Sequence, residues 1–179
     1  MDATYKDIIA FHGHSCPGLA IGYRMTKAGL AFLAGSRSAD EELVAIVENN
    51  ACGVDALQML SGCTFGKGNL IFKDYGKHVY TLYDRKTKRG ARVVFNDSNV
   101  PKGMRENREQ FTTWLLSAPE EEIVLLKEVQ IDEPAPARIR KSLTCAFCGE
   151  SVMETRTREI QGKQACISCA EKVEHSPTV

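Results

Sequence analysis

His12, His14 and Cys16 occupy alternate positions in the stretch HGHSCP. In an extended segment alternate side chains leave the same side of the backbone, so two imidazoles and a thiol can converge. Imidazole with thiolate suits zinc, iron or another late first-row ion. Gly13 lets the backbone approach a ligand closely. Pro17 follows at the first turn of a long helical segment. The partly positive start of that helix favours a thiolate at Cys16, as ligand or as nucleophile.

A second cysteine repeats the device. In ENNACGVD, Cys52 stands just before another helical segment, with Asp55 three residues on along the same face. If the two helix starts meet, His14, Cys16 and Cys52 share one electropositive pocket. His12 is then a proton carrier. Asp55 can ligate, act as a base or orient an imidazole from behind. Cys63 lies 11 residues beyond Cys52, about 16 Å along a continuous helix. Either the helix breaks near Gly62, or Cys63 belongs to another surface, or a second chain carries it to the pocket. The loop from Cys63 through Thr64 and Lys67 to Asn69 offers glycines, N–H groups and a cation to an anionic ligand. It lacks the Walker spacing.

The sharpest motif is at the other end. Cys145-Ala-Phe-Cys148 and Cys166-Ile-Ser-Cys169 form a CxxC…CxxC pair with 17 residues between. Four thiolates suit tetrahedral zinc, and each CxxC loop turns two sulfurs onto one ion. Gly149 allows the tight turn after the first knuckle. The spacer reads as a hairpin turning at Gly162, and a helix begins at the second pair. That is the order of a treble-clef or zinc-ribbon finger, with the zinc structural because so short a module cannot bury a sufficient core. Residues 138–179 carry seven Lys or Arg and five Asp or Glu. Four thiolates with one zinc cancel that excess, so the finger reads as structural or partner-docking rather than nucleic-acid-binding.

The elements that must position these groups are mixed. Helices are expected at 3–11, 17–34 (ending at Gly35) and 53–62, with a strand at 42–48. NLIFKD, HVYTLYDR and ARVVFND read as strands. A helix is expected from Pro101 to Leu116, and another from Ser117 with acids in its first turn. Prolines and lost periodicity mark a linker over 131–143. The fold class is therefore α+β: a mixed core domain, residues 1–130, with helices packed on a small sheet, then the linker and a finger over 144–179. His78 and His175 read as ordinary polar residues.

Lys plus Arg equals Asp plus Glu at 23 each, which argues against a protein built to neutralise phosphates. No apolar run approaches the ~18 residues of a membrane span, and the N-terminus lacks a signal-peptide pattern. A cytoplasmic protein is expected, with its seven cysteines serving as ligands or reactive thiols rather than disulfides.

FHGHSCPGLAIGYRM, ENNACGVDALQMLSGCTFGKGNLIFKDYGKHVYTLY and the terminal CAFCGE…ACISCA resemble the FmdE family of formylmethanofuran dehydrogenase components. The resemblance covers nearly the whole chain. It implies an α+β core often joined to a C-terminal zinc finger, and a metal-binding cleft at His12, His14, Cys16, Cys52 and Asp55. Cys63, Thr64 and Lys67 match the adjoining loop, the expected cofactor-binding edge. It also implies homodimers. The parent complex reduces carbon dioxide onto methanofuran with a molybdenum or tungsten pterin, which so short a chain is too small to hold, so an associated role is implied.

Three functions follow. The first is an accessory metalloprotein of redox or one-carbon chemistry, with a core-cleft metal, a structural zinc finger and a protein partner. The second is a free-standing enzyme in which a metal ion or the Cys16 thiolate acts on a small anionic substrate, with His12 or Asp55 moving the proton and Lys67 holding the anion. The third is a regulator sensing metal or redox state.

Overall fold

The computed structural model describes residues 3–35 and 37–174. The chain divides into two compact units, residues 1–137 and 138–179.

In the first unit, α1 (Tyr5–His12) starts at a capping box in which Thr4 and Asp7 satisfy each other's backbone N–H groups. It ends at Gly13, whose φ of +96° turns the chain out of the helix. α2 (Pro17–Phe32) has Cys16 as its N-cap and Pro17 at its first position. Its last turn closes on Ala34, with φ +49°, one residue before the Gly35 expected to end it. β1 (Leu43–Val47), α3 (Gly53–Ser61) and β2 (Leu70–Phe72) form a βαβ unit whose strands pair in parallel. β3 (Val79–Asp84) and β4 (Arg89–Phe95) follow as an antiparallel pair.

Two expectations need correction. The helix placed from Pro101 begins only at Arg108: α4 spans Arg108–Ser117, after a separate 3₁₀ turn at Met104–Glu106. Gly103 takes a left-handed conformation, and the Asn107 side chain accepts from the N–H groups of Glu109 and Gln110. The helix placed from Ser117 is a single turn, α5 (Glu120–Ile123), and the chain then extends as β5 (Val124–Val129). The acidic run starts a helix as its charge dictates, but beyond Ile123 pairing wins. Val124 and Leu126 join the core on alternate positions while β5 pairs with β4 from Val124 to Val129.

The finished sheet has the order β2-β1-β3-β4-β5. α2 lies on it, burying Ala20, Met25 and Ala28 in one core with Ala45, Leu82, Ala91 and Val93. Gly29 faces Leu82 and Val93 so closely that an added Cβ would stand 2.8 Å from Leu82. Arg24 reaches from α2 to the end of α4, donating to the carbonyls of Leu115 (2.7 Å) and Ala118 (2.8 Å). α4 is thereby tied to α2 beside the histidine loop. Residues 131–137 stay with this unit. Arg85 donates to the Pro134 carbonyl, Glu133 pairs with Arg85 and Lys88, and the Ala137 N–H donates to Glu41.

The second unit is built from two hairpins and a helix: β6 (Ser142–Thr144) with β7 (Ser151–Met153), β8 (Thr157–Ile160) with β9 (Lys163–Cys166), then α6 (Ile167–Glu174). Gln161 and Gly162 both take positive φ, the two-residue turn that matches strand twist. This is the zinc-ribbon order read from the cysteine spacing. Among the described residues no helix is long and apolar enough to cross a membrane. His175 lies outside the described residues.

Candidate metal centre

The front site forms where α1, α2 and α3 meet. α2 and α3 cross at backbone contact: a Cβ on Gly22 would lie 2.2 Å from the Gly53 carbonyl oxygen. One turn earlier, a Cβ on Gly18 would touch Cys52 at 3.4 Å. Only glycine at position 22 lets the two helices come this close, while a Cβ at position 18 would make ordinary contact. Gly22 is the sequence signal for this contact on α2, and no chemical motif draws attention to it.

His12, His14 and Cys16 form the cluster. Each offers one donor atom, and these atoms lie within 4.8 Å of one another. The two imidazoles stand 4.6 Å apart between ring centroids. Cys16 is buried at the cap of α2, and its sulfur accepts the Leu19 N–H at 3.4 Å. His12 is fixed from behind: its Nδ1 lies 2.6 Å from Asp55 Oδ2. Gln58 holds the other Asp55 oxygen at 3.5 Å. His12 Nε2 is buried and has no hydrogen-bond partner, the one such side-chain nitrogen or oxygen among the described residues. An orphaned buried acceptor or donor costs about 1–3 kcal/mol. A metal ion bound at Nε2 removes that cost, and a carboxylate behind a ligating imidazole is the usual support for it. Two imidazoles and one thiolate fit a zinc-type ion with one coordination position left open. These residues therefore fit the group.

Cys52 stands beside Cys16, outside the set whose donor atoms all lie within 4.8 Å. Burial, reinforced by the neighbouring Cys16, pushes its thiol pKa up. The structure thus groups His12 with His14 and Cys16 and leaves Cys52 next to that group. Tyr80, which by sequence is only a core strand residue, belongs to the surroundings. Its hydroxyl stands against Gly53, where an added Cβ would meet it at 2.5 Å. Burial, then the nearby Asp55 and Cys52, raise its pKa.

Cys63, Thr64 and Lys67 are not brought to the cluster. Cys63 follows the far end of α3, fully buried, with its thiol donating to the Leu43 carbonyl at 3.3 Å. Burial raises its pKa to about 11. Thr64 accepts the Lys67 N–H, and Lys67 Nζ donates to the carbonyls of Ser38, Ala39 and Asp40. Asn69 donates to the Asp40 and Leu43 carbonyls. The loop expected to hold an anion spends its lysine on satisfying the chain before β1.

In the second unit Cys145, Cys148, Cys166 and Cys169 bring their sulfurs within 4.8 Å of one another. Tetrahedral zinc with bonds of about 2.3 Å requires sulfurs about 3.8 Å apart, and Cys148 and Cys166 are 3.9 Å apart. The knuckle turns as the motif demands, with Gly149 at φ +76° and its N–H on the Cys145 carbonyl at 3.0 Å. Backbone N–H groups of Cys148, Cys166 and Phe147 pull the Cys145 pKa down to about 6. Cys169 is pushed up, first by Cys166. The Ser168 hydroxyl and the Cys169 N–H pull Cys166 down as well, while Cys148, like Cys169, is pushed up, so the cluster favours two thiolates and resists the other two, a conflict that a divalent cation resolves.

A profile of the prokaryotic dksA/traR C4-type zinc finger matches residues 138–175. A probable S-adenosyl-L-methionine-binding protein of Archaeoglobus fulgidus is 35% identical over 190 aligned positions, covering 89% of this chain and 50% of that protein. The chain spans about half the length of this curated relative. The crystal structure of a tungsten formylmethanofuran dehydrogenase FmdE-like protein from Syntrophus aciditrophicus superposes with a TM-score of 0.74 at 25% identity, covering 99% of this chain and 96% of that one. The profile of FmdE, described as molybdenum formylmethanofuran dehydrogenase operon, matches residues 11–132, from the histidine loop through the last strand of the sheet, and the chain belongs to this family.

Proposed function

We propose that this protein is an accessory metalloprotein of redox or one-carbon chemistry. Its core binds zinc or another late first-row ion through His12, His14 and Cys16, and its C4 finger is a structural zinc module that docks a protein partner. The observation that carries the reading is the buried, unpartnered Nε2 of His12, backed by Asp55 at 2.6 Å. A core-bound ion would supply Lewis acidity at its open position. Asp55 holds the His12 proton on Nδ1, which keeps Nε2 unprotonated and aimed at the cluster. Cys16 contributes its sulfur from the cap of α2. The family resemblance adds a homodimer to this proposal.

Cobalt(II) substitution tests the core ligand set. Two-histidine, one-thiolate binding predicts a visible absorption band and a sulfur-to-cobalt band that vanish in Cys16→Ser while the finger's bands persist. Identical cobalt spectra in wild type and variant would contradict it.

A second reading is a small-molecule-binding role for the core. Its supports are the description of the Archaeoglobus relative as a probable S-adenosyl-L-methionine-binding protein and a cavity of about 630 Å³ that has His14 in its wall. That volume falls within the range of small-molecule sites. Equilibrium dialysis of the full chain against radiolabelled S-adenosyl-L-methionine tests it. Saturable uptake is expected, and uptake no greater than that of an unrelated protein would contradict it.

A further inference from the structure

The cavity beside the cluster is a cleft between two walls. One is the histidine loop, with His14, Ser15 and Pro17; the other is one face of α4, with Arg108, Glu109, Thr112, Thr113 and Leu116. The α4 face carries opposite charges side by side. Among the described residues neither the Arg108 guanidinium nor the Glu109 carboxylate has a hydrogen-bond or ion-pair partner. Asn107 already accepts the N–H groups of Glu109 and Gln110, so the free side-chain donor at this end of α4 is the guanidinium. The Thr112 and Thr113 hydroxyls donate back to the Arg108 and Glu109 carbonyls, at 2.8 and 3.0 Å. Their remaining lone pairs can only accept.

Three requirements on a ligand follow. A guanidinium takes a planar carboxylate through paired N–H donors. A carboxylate flanked by two hydroxyls that can only accept calls for a cation with several N–H donors. The two charges cancel, so a dianion such as phosphate gains less here than a zwitterion. Pro17 and Leu116 offer the rest of the molecule an apolar strip towards His14.

We propose that this cleft binds a molecule ending in an α-aminocarboxylate group, with its carboxylate on Arg108, its ammonium on Glu109 and the threonine hydroxyls, and its apolar side chain running towards the histidine cluster. The proposal rests on the second, small-molecule reading above and names the ligand class and its orientation. It does not require the core metal.

The probe is L-methionine, titrated into the zinc-supplemented full chain and followed by calorimetry and by amide chemical shifts. Two truncated probes separate the charges: 3-(methylthio)propylamine lacks the carboxylate and 4-(methylthio)butanoate lacks the ammonium. Methionine should bind, and each truncated probe should bind about ten-fold more weakly or worse. Arg108→Gln should weaken methionine by a similar factor and leave the amine probe unchanged. Lys102→Gln, at an exposed cation outside the cleft, should change nothing. Absence of methionine binding, equal binding of the truncated probes, or full methionine binding by Arg108→Gln would overturn the proposal. Metal content measured on the same samples reads the core-metal proposal separately.

Discussion

His12 and Asp55 are 43 residues apart in the chain and joined at 2.6 Å, Nδ1 to Oδ2. The pair links the end of α1 to the first turn of α3 and leaves Nε2 buried and without a hydrogen-bond partner. Replacing the carboxylate by an amide keeps the shape and removes the charge. Asp55→Asn should weaken core metal binding by about 10–100-fold, read by competition with a chromophoric chelator. The folding midpoint of the core should change little, since Asp55 is partly exposed. Undiminished affinity would show that Asp55 does not support a ligand.

The crossing of α2 and α3 is the structural condition for the site. A methyl group on Gly22 would overlap the Gly53 backbone, which cannot swing aside as a side chain can. Gly22→Ala should destabilise the core by about 3 kcal/mol, measured by urea denaturation, and should lower core metal affinity as the two helix starts part. Gly66→Ala is the control: a Cβ there meets nothing within 4 Å.

Cys145 is the best-supported thiolate of the finger, with the Cys166 N–H on its sulfur at 3.3 Å. Cys145→Ser should abolish zinc retention by the finger and make residues 138–174 sensitive to trypsin. The main thermal transition should stay where it is in the wild type. Loss of that transition in the variant would contradict independent folding of the core.

Glu42 carries the clearest pH dependence. The Asp40 N–H and the Ser38 hydroxyl hold its carboxyl at about 2 against an ordinary 4.5. The unfolded chain takes up this proton first on acidification. The contribution of Glu42 to stability is therefore complete above about pH 4.5 and is lost as pH falls towards about 2. Glu42→Gln should flatten the fall in thermal midpoint across that interval and leave the slope near neutrality unchanged.

How much of this was legible in the sequence follows from the range of the interactions. The finger was readable because its determinants are local: CxxC knuckles, Gly149 after the first, and a two-residue turn at Gln161-Gly162. Pro17 marked the start of α2 for the same reason. β5 was missed because Glu120–Glu122 do start a helical turn, and only pairing with β4 decides that the chain then extends. The alternation of His12, His14 and Cys16 pointed to a cluster. Which side chain stands behind His12 was not decided by spacing, since Asp55 arrives through the Gly22–Gly53 contact. Cys63 and Lys67 looked chemical by residue type, yet the structure spends both on backbone carbonyls.

The central claim is a metal in the core in addition to the finger's zinc. Elemental mass spectrometry of the purified full chain, wild type beside Cys16→Ser, tests it most directly. The account predicts about two ions per wild-type chain and about one per variant chain, one for each cluster. One zinc in both proteins would assign the metal to the finger and contradict the core site.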